Sequence, residues 1–121
     1  MTFPSGKLGA ALAFLAVAFG AFGTHYLQDF LTVERLGTFE TAVRYQMFHA
    51  LGLLVLAALP KKAQRAKWFL FGGSFVFSGS LYLLVLSNTS WLGAIAPIGG
   101  ILQLLGWAVL FLNLGPDEMK S

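Results

Sequence analysis

Trp68-Phe69-Leu70-Phe71-Gly72-Gly73-Ser74-Phe75-Val76-Phe77-Ser78-Gly79-Ser80-Leu81-Tyr82-Leu83-Leu84-Val85-Leu86 runs for nineteen residues without a charge. It follows directly on Lys61, Lys62, Arg65 and Lys67. About 20 residues of helix cross the ~30 Å hydrocarbon core of a bilayer. The run therefore predicts a transmembrane helix with a basic flank.

Three further runs have the same character. The first extends from Leu8 to about Leu27, with His25 its only ionisable group besides Tyr26. Another begins with a polar turn near Thr38 and runs from about Thr41 to Leu59, where Pro60 ends it because proline cannot continue the hydrogen-bond ladder. The last runs from about Leu92 to Leu114 and is stopped by Gly115 and Pro116. Its Pro97 falls in the first turns, where a missing N–H costs little. A β-barrel needs short alternating segments, and these runs are continuous. The expected fold is an all-α integral membrane protein. Four transmembrane helices, at about 8–27, 41–59, 68–86 and 92–114, form one compact bundle, a single transmembrane domain over 1–121.

Composition agrees. Of 121 residues, 57% are hydrophobic and 11% charged, against roughly 45–50% and ~25% in soluble domains. The net charge is +3, with eight Lys and Arg, which is too sparse for a nucleic-acid footprint. Cysteine is absent, which excludes disulfides, thiolate metal sites and Cys nucleophiles.

The connections are short. Gln28–Glu40 mixes Phe30, Leu31, Val33, Leu36 and Phe39 with Asp29, Glu34, Arg35 and Glu40. It reads equally as an amphipathic piece lying at the interface or as a plain loop. Lys61, Lys62, Arg65 and Lys67 mark their turn as cytoplasmic by the positive-inside rule, and they are also placed to touch anionic lipid head groups. Alternation puts Lys7 and Lys120 on that side, so both termini are expected in the cytoplasm. The start admits a second reading. Lys7, the apolar run after it and Ala21-Phe22-Gly23 loosely match a cleavable signal peptide, whose removal leaves three helices.

The second helix carries the polar residues. At ~100° per residue, Thr41, Ala42, Tyr45, Gln46, His49 and Gly52 share one broad face, opposite Met47, Leu51, Glu40 and Arg44. His49 is nine residues beyond Glu40, ~13 Å deeper along the axis, and is expected in the outer half of the membrane. His25, Tyr82, Ser78 and Ser80 fall at a similar level. Two readings follow. His25, Tyr45, Gln46, His49 and Tyr82 converge on an outward-facing ligand pocket, or each is a core hydrogen bond holding helices together. Two histidines without thiolates or deep carboxylates fall short of a metal or haem site, so no metal and no cofactor are expected. Glu40 and Arg44 have the favourable i, i+4 order of a helix ion pair, suited to anchoring the preceding segment. Ala13, Ala16, Gly20 and Thr24, and Ser74 and Ser78 beside Gly72 and Gly79, form small-residue stripes for close helix packing. A homo-oligomer fits as well as a monomer.

Four stretches add a family resemblance. Gly20-Ala21-Phe22-Gly23-Thr24-His25, Phe39-Glu40-Thr41-Ala42-Val43-Arg44-Tyr45-Gln46-Met47-Phe48-His49-Ala50-Leu51, Phe77-Ser78-Gly79-Ser80-Leu81-Tyr82 and Ala96-Pro97-Ile98-Gly99-Gly100 resemble signatures of the YgdD-like small membrane proteins (domain of unknown function 423). The resemblance covers nearly the whole chain. It implies four helices, an uncleaved first helix and the bacterial inner membrane, and it supplies no activity or catalytic residue.

Function is narrowed by exclusion. No deep Asp or Glu, no Cys and no supported Ser–His–Asp arrangement speak for an enzyme. Four helices match the small multidrug exporters only in outline, because proton-coupled export needs a membrane-embedded carboxylate. The expectation is a non-catalytic protein that binds lipid, a small ligand or a partner protein through an outer-leaflet polar pocket. The alternative is a passive pore or small transporter for an ion or small molecule.

Overall fold

The computed structural model describes residues 4–115, which form helices joined by short turns. Pro116 and Lys120, invoked above for the end of the last helix and for its side of the membrane, lie outside the described residues. Helix α1 (Ser5–Ala18) continues through a π turn at Phe19–Gly23 into α2 (Thr24–Leu27), so the three make one rod. Helix α3 spans Val33–Leu56, α4 spans Lys67–Ser87 and α5 spans Ala96–Leu112. Short 3₁₀ helices at Lys61–Ala66 and Ser90–Ala94 lead into α4 and α5.

Helix α3 starts eight residues before the expected Thr41. Thr32 caps it, its side chain accepting from the Arg35 N–H at 3.1 Å, and Glu34 sits in the first turn, where the helix dipole favours an acid. The separate amphipathic segment is therefore shortened to the loop before Val33. Glu34, Arg35, Glu40 and Arg44 limit a membrane span, but they do not end a helix. Phe39, buried against Tyr82 at 5.4 Å between rings, ties these outer turns to α4. Glu40 and Arg44 are both exposed, and among the described residues no ion pair joins them. The anchoring assigned to that pair is done by Thr32 and Phe39 instead.

At the opposite end Gln64 closes the basic turn. Its amide N–H donates to the Leu56 carbonyl at 2.5 Å, and its oxygen accepts from the Ser5 hydroxyl at 2.6 Å. One side chain thus caps α3 and holds the start of α1. Ala63 and Ala66 are fully buried beneath the turn. Helix α4 ends on Asn88, whose left-handed φ of 56° lets the Thr89 N–H return to the Leu84 carbonyl.

In cross-section α3 packs against α1 on one side and α4 on the other, and α4 carries α5. The backbones approach closely at three glycines. A Cβ at Gly9 would stand 2.6 Å from the Ala50 carbonyl oxygen, and one at Gly73 would stand 2.7 Å from the Gln103 nitrogen. At Gly99 it would overlap the backbone of Phe77. Of the expected small-residue stripes, Ala16, Ser74 and Ser78 are buried, whereas Gly72 and Gly79 face open space.

The surface is inverted relative to a soluble protein. Phe14, Leu104 and Phe111 are 72%, 71% and 76% exposed, while Gln46, His49, Ser74, Ser78 and Gln103 are buried. Such a surface needs an apolar solvent. The rods Ser5–Leu27, Lys61–Ser87 and Ser90–Leu112 are long and apolar enough to cross a membrane. Helix α3, with four charges in its N-terminal half and polar residues beyond them, falls outside that set, so the structure supports three such spans among four long helices where the sequence reading expects four.

Gly99 and Gly100 separate packing from propensity. Gly99→Ala should markedly lower the detergent concentration at which the bundle unfolds, because α4 must retreat from α5. Gly100→Ala meets nothing within 4 Å, and it should be neutral or stabilising by up to ~1 kcal/mol through helix propensity. Unfolding of both variants by SDS titration in mixed micelles checks this.

Candidate functional site

The buried residues of α3 run from Gly52 through His49, Leu53 and Gln46 to Ala50. This arc is ~160° wide at ~100° per residue. A helix wedged between neighbours addresses different partners from the two edges of such an arc. The expected single cluster is consequently divided in two.

One edge faces α1. Gln46 donates its amide N–H to the Leu12 carbonyl at 2.8 Å, and its oxygen accepts from the Tyr82 hydroxyl at 2.6 Å. One carboxamide so links α1, α3 and α4. Ser78 adds a bond to the Ala42 carbonyl at 2.7 Å. Phe19 of the π turn stacks edge-on against Tyr82, with ring centroids 5.1 Å apart. Gln46 and Tyr82 thus cross-link helices on this side of α3. Ser74, on the same side of α4, is buried and its hydroxyl has no hydrogen-bond partner.

The other edge faces α5. The indole N–H of Trp107 donates to Nε2 of His49 at 3.0 Å, and Nδ1 of His49 lies 2.7 Å from the Tyr45 carbonyl oxygen. An indole only donates, so Nε2 carries no proton. Nδ1 then carries it and donates to Tyr45. The two partners fix one neutral tautomer and occupy both ring nitrogens. The indole reaches His49 because residue 52 is glycine: a Cβ there would stand 2.8 Å from the ring. Beside this pair a groove of about 460 Å³ opens along the α3–α5 seam. Tyr45, His49, Phe77 and Trp107 give it aromatic walls, and Thr41 and Gln103 give it polar atoms. Its open lip is formed by Gly100, Ile101 and Leu104, of which the last two are exposed.

The model of the family described as "Protein of unknown function (DUF423)" matches residues 19–100. The chain belongs to the DUF423 family. That span includes Gln46, His49 and Tyr82, and ends just before Gln103 and Trp107. A UPF0382 membrane protein of Staphylococcus epidermidis is 47% identical over 109 residues, covering 87% of this chain and 89% of its own. The UPF0382 membrane protein YwdK of Bacillus subtilis is 43% identical over 109 residues, covering 85% and 89%. UPF0382 membrane protein SSP2132 of Staphylococcus saprophyticus is 43% identical over 110 residues, covering 88% and 92%. No solved structure matches the chain. Together with the inverted surface, these relatives make this DUF423 chain a membrane protein.

The remaining site residues fall as follows. Tyr45 is 39% exposed and forms the outer wall of the groove, its ring 5.2 Å from Phe77. His25 is exposed on α2, apart from both networks. His49 lies seven residues from Leu56, ~10 Å along the axis, and sixteen from Val33, ~24 Å. It lies in the half of α3 nearer the basic turn, α3 being extended at its N-terminal end by residues 33–40. Trp107 is the functional residue the sequence reading missed. Its signal was an indole in the middle of an apolar span, away from the interfacial level where Trp usually sits. Among the described residues no group of three metal-ligating side chains is present.

Two substitutions test these networks. Gly52→Ala should push the indole off α3 and release its N–H from His49, seen as an upfield shift of the Trp107 indole proton in NMR spectra. Ser74→Ala should stabilise the bundle by about 1 kcal/mol, because it removes a buried hydroxyl without a partner. Thermal unfolding in the same detergent measures it.

Proposed function

We propose that this protein binds a lipid-soluble small molecule in the α3–α5 groove and does no catalysis. The groove itself carries the reading. It opens sideways through Ile101 and Leu104, its walls are aromatic, and its polar atoms lie on the floor. Membrane ligand sites commonly pair an apolar, concave wall with a few placed polar groups. No charged side chain lines it, which argues against an ion as the occupant.

The topology that serves this reading has four crossings. Helix α3 packs between α1 and α4 and brings its polar groups inward, which makes sense of a helix that shares the bilayer with its neighbours. The basic turn at Lys61, Lys62, Arg65 and Lys67 then faces the cytoplasm with both termini, in the inner membrane of a bacterium, its lysines and arginine near anionic head groups. The protein works as a monomer or a homo-oligomer in this scheme.

A passive pore or small transporter is the second reading, supported by polar residues on both edges of α3. Both nitrogens of His49 are engaged within the protein, which favours binding over a histidine that shuttles protons.

Photolabelling tests the binding reading. With a diazirine-bearing alkane in nanodiscs, adducts should concentrate on Tyr45, Ile101 and Leu104. Gly100→Trp, which fills the groove from its open side, should remove that excess. Labelling that simply follows exposure, with Phe14 and Phe111 equal to the groove residues, would count against it.

A further inference from the structure

The ligand's chemistry can be read from Gln103. This residue is only 5% exposed, yet it lines the groove. Its amide nitrogen is placed 3.5 Å from Nδ1 of His49, and no hydrogen bond to its amide oxygen is seen among the described residues. The tautomer of His49 decides which atom is which. Trp107 donates to Nε2, so Nδ1 bears the proton. Two N–H groups do not bond to each other. Nδ1–H already donates to the Tyr45 carbonyl at 2.7 Å, so a second N–H beside it is repelled. Exchanging the two ends of the amide puts a weak acceptor there instead and turns the NH₂ group, a donor of two hydrogen bonds, toward the groove. Assigning an amide's oxygen and nitrogen from their partners is the usual basis for that choice.

We propose that the groove takes a neutral, planar ligand with a hydrogen-bond-accepting carbonyl and a hydrocarbon tail, the chemistry of a prenylated quinone. This rests on the reading of the groove as a binding site. The NH₂ of Gln103 is a buried donor and calls for an acceptor. The rings of Tyr45, Phe77, His49 and Trp107 favour a flat, π-bearing head group, which packs offset or edge-on against aromatic faces. The lining holds no carboxylate and no cationic side chain, so a charged head group would be desolvated without compensation. The open lip at Ile101 and Leu104 lets a tail leave into the lipid.

Fluorescence of Trp107 reports the binding. In a Trp68→Phe, Trp91→Phe background, Trp107 is the remaining tryptophan of the three in the chain. Decyl-benzoquinone titrated into nanodiscs should quench it saturably. Decylbenzene, with the same tail and no acceptor, should displace the quinone at least tenfold less well, and so should dodecyltrimethylammonium. Gln103→Leu should weaken quinone binding about tenfold or more. Gly100→Phe, at a position where an added Cβ meets nothing within 4 Å, should abolish saturation without adding a second tryptophan. The inference is overturned if quenching rises linearly with quinone, if Gln103→Leu binds unchanged, or if decylbenzene competes equally. In the last two cases the diazirine alkane still labels the groove, so binding stands while its chemistry is refuted. If neither probe finds the groove, the binding reading itself fails.

Discussion

Lipid tails are as apolar as leucine, so moving Leu53 or Leu70 from lipid into the bundle gains little of what drives a soluble core. What holds helices together in that solvent is close backbone approach and the pairing of polar groups with each other. Both features concentrate here on a few positions. Gly9 lets α1 touch α3, and Gly73 with Gly99 lets α4 touch α5. Gln46 then joins α1, α3 and α4 through two hydrogen bonds from one side chain. Helix α3 supplies Gln46 and His49 together, and the rest of the bundle is arranged so that each finds its partners.

This constraint also explains where the structure leaves space. Helix α5 packs its backbone on α4, whereas it meets α3 chiefly through a large side chain, Trp107. The indole bridges the gap at Gly52 and leaves the groove outward of it, toward Pro97 and Thr41. A closed hydrogen-bond chain, Trp107 to His49 to the Tyr45 carbonyl, thus forms the wall of an open site. Rigid walls whose own donors and acceptors are satisfied suit recognition, because binding need not break them first.

Much of the architecture was legible because hydropathy and charge act locally. The uncharged run Trp68–Leu86 lies within α4, and Pro97 sits in the first turn of α5, as read. Helix α3 starts earlier than expected because the polar turn read near Thr38 is itself helical, and Glu34, Arg35, Glu40 and Arg44 limit only its apolar part. Helical periodicity put Gln46, His49 and Tyr45 on one face, and they do share one side of α3. It gave no means of telling that residues 60° apart on a helix would serve different neighbours. That division depends on where α1 and α5 sit, which is information carried by Gly9, Gly52 and Gly99 in contact with residues remote in sequence.

His25 and Trp107 show the same limit from opposite directions. His25 stands at a similar level to the others by residue count, but it is exposed on α2, so depth without azimuth did not place it. Trp107 drew no reading from the sequence, yet its N–H fixes the tautomer of His49, and that tautomer is what argues for turning the donors of Gln103 toward the groove. The polarity of the groove floor is consequently decided by the direct partner of the groove's most obvious ionisable group, an indole with no acceptor capacity of its own. In a chain with no acid or base in the site other than this histidine, specificity rests on the orientation of neutral dipoles, and their orientation is set by the one partner that can only donate.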